Sequence, residues 1–187
     1  KEYQKLIELE PENDEWYKKT ADIYIDQNKN DKAITALQKA VQINPDDMEA
    51  QETLAGLLSQ TGDVSAIIEQ QKSMVEQNPE TIMYRENLAQ TYYENGMYEK
   101  AVKQFKTITE KNPEDILTLE KLADSYEKLS KWNLAIDVYK QILSVEPDNK
   151  KNLCRLSQTY TETGRYTQAR RQANKALEID PDYGLAH

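Results

Sequence analysis

Six prolines, Pro11, Pro45, Pro79, Pro113, Pro147 and Pro181, follow one another at intervals of 34 residues, and the chain has no others. A fixed period of this size means one supersecondary unit copied along the chain. Each copy is too small to bury its own apolar face and must stack on its neighbours. The 187 residues therefore hold several stacked units rather than one or two ordinary globules.

Setting each proline at position 32 gives five complete units, 14–47, 48–81, 82–115, 116–149 and 150–183. Apolar residues recur at positions 4, 7, 8 and 11 and again at 20, 24, 27 and 28. Both runs have the helical period, so each unit reads as two antiparallel helices. Position 15 carries Gly62, Gly96 and Gly164, with Asn28 and Ser130 in the other two units, where a left-handed residue ends the first helix. The proline ends the second helix by biasing its predecessor away from helical geometry. Position 34 holds Asn13, Asp47, Thr81, Asp115 and Asn149, whose side-chain oxygens suit the N-cap of the next unit; Tyr183 breaks the rule.

Small residues mark close helix approach. Position 8 reads Ala21, Ala55, Ala89, Ala123, Ser157, and position 20 reads Ala33, Ile67, Ala101, Ala135, Ala169. Position 11 supplies bulk with Tyr24, Leu58, Tyr92, Tyr126 and Tyr160, and a buried tyrosine needs a partner for its hydroxyl.

The chain resembles the tetratricopeptide repeat family on these residues. The third unit shows the pattern as Leu88, Ala89, Tyr92, Gly96, Ala101, Phe105 and Pro113, and the likeness covers essentially the whole sequence. The resemblance implies an all-α fold, a single right-handed superhelical solenoid of antiparallel helix pairs over 1–187. It also implies first helices that line a concave groove for a partner peptide or helix. The second unit departs most, with Gln51, Gly56, Ile67, Gln71 and Met74 at pattern positions or inside the first helix, and is expected to be a weak joint. Residues 1–13 read as the second helix of a truncated repeat and 184–187 as the start of a further one. That reading predicts a piece of a longer repeat protein, with open ends able to self-associate.

The inventory for catalysis is poor. The single histidine is His187, Cys154 has no histidine near it in sequence, and the five glycines are scattered singly. No catalytic, cofactor-binding or metal-binding residues are therefore assigned, and no cofactor is expected. Asp26, Asn28 and Asn30 start like a calcium loop, but Asp31 and Leu37 stand where its glycine and bidentate glutamate belong. Cys154 falls at groove position 5 beside Lys151 and Arg155, and reads as an inert small residue rather than a reactive thiol. A net charge of −9 disfavours nucleic acid and acidic membranes as partners, and no apolar run is long enough to span a bilayer. The chain opens on Lys1, which leaves room for a leader upstream.

If the family geometry holds, positions 2, 5, 9, 12 and 13 of the first helices face the concavity. They carry eleven acids against three lysines. Met83, Tyr93 and Leu117 stand among them as apolar anchors, and Glu86, Glu120 and Asp124 as selectors of positive charge. Glu52, Gln90, Lys151 and Arg155 complete the expected partner-binding set. The family's dicarboxylate clamp is not matched: Lys151 and Arg155 fit its last two positions, but Glu86, Gln90 and Lys121 occupy the first three. The asparagine ladder of the sugar-transferase relatives also fails at Lys19, Thr53, Asn87, Lys121 and Arg155. The sequence thus points to a non-catalytic scaffold that binds a protein or peptide, basic or amphipathic. The alternatives are a substrate-presenting repeat arm of a larger enzyme such as a glycosyltransferase, and a structural spacer or self-assembly module.

Overall fold

A computed structural model of the chain describes residues 2–183. Among them lie eleven helices and no strand: α1 (Glu2–Leu9), α2 (Asp14–Asp26), α3 (Asn30–Ile43), α4 (Met48–Thr61), α5 (Val64–Gln77), α6 (Ile82–Glu94), α7 (Tyr98–Lys111), α8 (Ile116–Lys128), α9 (Trp132–Val145), α10 (Lys150–Glu162) and α11 (Tyr166–Ile179). The expected opening of a further repeat at 184–187 lies outside the described residues, as does His187. The chain gathers into two compact units, one ending at Tyr84 and the other beginning at Arg85. No described helix is long and apolar enough to cross a membrane.

The turns inside the pairs follow from one backbone requirement. Asn28 (φ 54), Gly62 (φ 68), Gly96 (φ 71), Ser130 (φ 55) and Gly164 (φ 71) all adopt the left-handed conformation. In four of the turns the next N–H bonds back to the position 11 carbonyl: Lys29 to Tyr24, Met97 to Tyr92, Lys131 to Tyr126 and Arg165 to Tyr160, at 2.8–2.9 Å. That bond closes the last open carbonyls of the first helix. Ser130 carries a Cβ where glycine is free of strain. Ser130→Gly is therefore expected to stabilise the chain by roughly 0.5–1 kcal/mol, the left-handed penalty less the added freedom of the unfolded chain. A fall in the urea midpoint would contradict this.

Helix starts are fixed by side chains. Asn13, Asp47, Asp115 and Asn149 accept from the main-chain N–H of Glu15, Ala50, Thr118 and Asn152. Asp47 does double duty, because its other oxygen lies 2.6 Å from Lys18 Nζ. Lys18 and the Ala50 N–H hold its carboxyl below the usual range. A depressed folded pKa contributes stability that is present above the unfolded pKa and lost as pH falls through the folded one. Asp47→Ala is expected to cost about 1–2 kcal/mol at neutral pH, and Asp47→Asn, which keeps the cap, about half of that. The Asp47→Asn deficit should close in denaturant titrations as pH falls through the depressed folded value, while Asp47→Ala keeps the share due to the cap.

In the first unit the core is Ala21, Ala33, Ala36, Leu37, Val41, Ala50, Leu54, Leu57 and Leu58, with Tyr24, Ile25, Ile34, Ala66 and Ile67 packed around it. Ala21 and Ala33 have no exposed surface, so α2 and α3 meet backbone to backbone. In the second unit Ala89, Ala101, Ala123 and Ala135 are likewise fully buried, and Phe105 and Tyr139 fill position 24 at 2% exposure each. The rings of Tyr92, Tyr126 and Tyr160 are buried. None of their hydroxyls is a buried oxygen left without a partner.

The helix pair α4–α5 is built differently. Its first helix runs one residue further than the other four, and Asp63 caps α5 by accepting from the N–H of Ser65 and Ala66, where Lys29, Met97, Lys131 and Arg165 make no side-chain cap. Ala55 is exposed, which corrects the expectation of a close contact at position 8 there. Gln51 instead is buried, donating to the Pro45 carbonyl and accepting from Tyr84 Oη at 3.0 Å. On α5 only Gln70 is buried.

Candidate functional site

The first helices α8 and α10, with the C-terminal part of α6, bring several of the expected site residues together through a charge ladder. Tyr93 of α6 donates to Asp124 of α8 at 2.5 Å, and Arg155 of α10 donates to the same carboxylate at 2.5 Å. Arg155 also reaches Glu127 at 2.6 Å and the Tyr139 hydroxyl at 3.1 Å. One turn earlier, Glu120 accepts from Lys151 at 2.5 Å and from Asn152 at 2.7 Å, while Thr159 donates to Glu127 at 2.6 Å. Tyr93–Asp124, Glu120–Lys151 and Asp124–Arg155 are 31 residues apart, Glu120–Asn152 and Glu127–Thr159 are 32, and Glu127–Arg155 are 28.

Exposure sets how much these contacts matter. The side chains of Asp124, Glu127 and Glu120 are 23%, 13% and 20% exposed, against 59% for Lys151. Partial burial strengthens each bond over a surface pair, so Arg155 holds two carboxylates at once in a partly dry setting. Burial first, and then donation to Asp124, push the Tyr93 hydroxyl up to about 12. Burial followed by the Glu127 charge raises that of Tyr139. A shallow cleft of about 270 Å³ opens beside the ladder, with Trp132 and Glu162 on its rim.

The other expected residues stand apart. Glu86 is exposed and makes no bond among the described residues, and Gln90 donates to Glu94 at 2.6 Å. Leu117 is 73% exposed; in the first unit, Met83 is 46% exposed and Glu52 is exposed on α4. Cys154 is not on a groove surface: it is 2% exposed, packed with Leu153 and Ala176, and burial raises its thiol pKa. Sequence reasoning counted Glu127 among the acids of the stripe but not in the partner-binding set, and omitted Tyr139, Asn152 and Thr159. The offset of 31 that joins Glu120 to Lys151 and Asp124 to Arg155 was the signal that could have found the ladder. Among the described residues no group of three or more His, Cys, Asp or Glu could hold a metal ion.

A family model described as "TPR repeat" matches residues 21–62, one described as "Tetratricopeptide repeat" matches 128–187, and one described as "Anaphase-promoting complex, cyclosome, subunit 3" matches 65–142. The chain belongs to the tetratricopeptide repeat family. Solved tetratricopeptide structures align along nearly its full length. MamA from AMB-1 is 21% identical, with 91% of this chain and 93% of that chain covered and a TM-score of 0.66. YrrB, described as a TPR protein with an unusual peptide-binding site, is 16% identical, with 100% and 96% covered and a TM-score of 0.66. MamA from Desulfovibrio magneticus RS-1 is 13% identical, with 91% and 97% covered and a TM-score of 0.62. No curated protein matches the chain. The tetratricopeptide repeat fold supports a protein-interaction scaffold.

Proposed function

We propose that this chain is a non-catalytic scaffold, one solenoid of the repeats 14–47, 48–81, 82–115, 116–149 and 150–183, that holds a basic or amphipathic protein segment on its first-helix faces. The observation that carries this reading is Leu117. It is 73% exposed and shares one face of α8 with Glu120 and Asp124, at spacings of three and seven residues. An exposed apolar side chain beside charges already held in place is the arrangement of an interface anchor with a polar surround. The description of YrrB as carrying a peptide-binding site supports the same class of partner.

The ladder changes how charge selection works. Glu120 and Asp124 are committed to Lys151 and Arg155, so attraction for a basic segment falls to Glu86 and to the surplus of two carboxylates over the one Arg155 guanidinium. Each exposed pair contributes only ~0.2–1 kcal/mol, so the apolar anchor supplies most of the affinity. The test compares partner capture by the native chain, by Leu117→Asp and by Glu86→Lys, both substitutions being on exposed sites. Leu117→Asp is expected to weaken binding by about tenfold or more, and Glu86→Lys by a few-fold that vanishes at high salt. Equal capture by Leu117→Asp would overturn the site, and binding indifferent to salt would overturn the basic partner.

A further inference from the structure

Polar groups without partners gather on one helix of the first unit. Among the described residues five buried side-chain nitrogen or oxygen atoms have no hydrogen-bond partner, and three of them belong to α5 and its C-cap: Gln70 Nε2, Gln71 Oε1 and Asn78 Nδ2. Such a group has given up water without gaining a bond. Opening of the helix returns it to water.

Apolar packing does little to offset this. α3, α7 and α9 each bury five residues, whereas α5 buries Gln70 alone. At position 20 Ala33, Ala101, Ala135 and Ala169 are buried, but α5 carries the wider Ile67, which is only half-buried, and Ala55 of α4 is exposed. The side chains at a helix contact set how near the axes come, so α4 and α5 do not close on each other as α2 and α3 do. Gln71 stands where Leu37, Phe105 and Tyr139 are buried. Asn78 lacks a partner for a reason that the first repeat displays. Asn44, at the same position there, donates to Asp14 at 3.0 Å, and the residue equivalent to Asp14 is Met48, which offers no oxygen.

We propose that α5 is a releasable helix, which opens as a unit of its own while α2, α3 and α4 stay folded. α4 remains in place because Leu54, Leu57 and Leu58 share one core with Leu37 and Val41 of α3. Ala66 and Ile67 of α5 lie against that core, so release of α5 uncovers apolar surface there. The chain then has two forms, and a ligand that touches only one of them shifts the balance between them. This device does not depend on the first-helix surface proposed above.

The experiment is amide hydrogen exchange of the isotopically labelled full chain, read by NMR at rising urea concentrations below the unfolding transition. Amides of α5 are expected to be less protected than those of Ala36, Leu37 and Val41 in α3, by about tenfold or more. Their exchange should also rise less steeply with urea, because local opening exposes less surface than global unfolding. Met48→Asp supplies the acceptor that Asn78 lacks, and Gln71→Leu supplies the residue that α3 has at that position. Each should raise protection in α5 by roughly tenfold. Lys18→Met breaks the pair that joins α2 to Asp47, and should lower protection in α3 while leaving α5 unchanged, since that pair is intact in both forms. Equal protection of α5 and α3, or equal urea dependence, would overturn the proposal. So would a fall in α5 that follows α3 in Lys18→Met, or no gain in α5 from either Met48→Asp or Gln71→Leu.

Discussion

Truncating Tyr139 to alanine is expected to cost about 3–5 kcal/mol of folding stability, the range for emptying a buried aromatic site. The ring is 2% exposed on α9, and its hydroxyl accepts from Arg155. Tyr139→Phe separates the two contributions. It keeps the ring and removes one hydrogen bond, for about 0.5–1.5 kcal/mol. Urea unfolding of both variants at neutral pH gives the comparison. An alanine deficit below about 2 kcal/mol would mean that the neighbouring helices collapse into the space, and the ring would not then be the pillar of that repeat.

Arg155→Met should be the most informative change on the surface. It removes the donors to Asp124, Glu127 and Tyr139 while keeping most of the aliphatic stem, and leaves two partly buried carboxylates without a cation. The expected loss is about 2–3 kcal/mol at neutral pH, below the cost of breaking a fully buried pair because the guanidinium is partly exposed. This corresponds to a melting temperature lower by roughly 5–10 °C. A double-mutant cycle identifies the cause. If the carboxylates left without a cation carry the penalty, Asp124→Asn should relieve part of it in the Arg155→Met background. An unchanged loss would assign it to packing of the stem. Arg155→Lys keeps the charge but cannot present the same planar fork, so it should fall between the two.

The ladder also shows which part of the candidate site was legible in advance. Tyr93, Glu120, Asp124, Lys151 and Arg155 were all picked out on their own helices. Their pairing was not, because it depends on which faces of successive first helices meet, and that contact turns an acid-rich stripe into a set of internal pairs. Cys154 fails for a related reason. A helix has no sharp border between its buried and open faces, and packing against Ala176 decides that position 5 of this repeat lies inside.

What the sequence determined by itself is the helical repeat: the proline interval, the left-handed stops from Asn28 to Gly164 and the caps at Asn13, Asp47, Asp115 and Asn149 are written in residues close to where they act. Such features depend on local backbone sterics and on hydrogen bonds spanning a few residues, so they can be read along the chain. Only the tertiary structure decided which acids are neutralised and how α4–α5 depart from the pattern. It decided too that Gln51 turns to Tyr84 where Arg85 of the next repeat turns to Gln104. Those outcomes rest on contacts between residues about 20 to 33 positions apart, where the offset and rotation of packed helices choose the partner and the residue type alone does not.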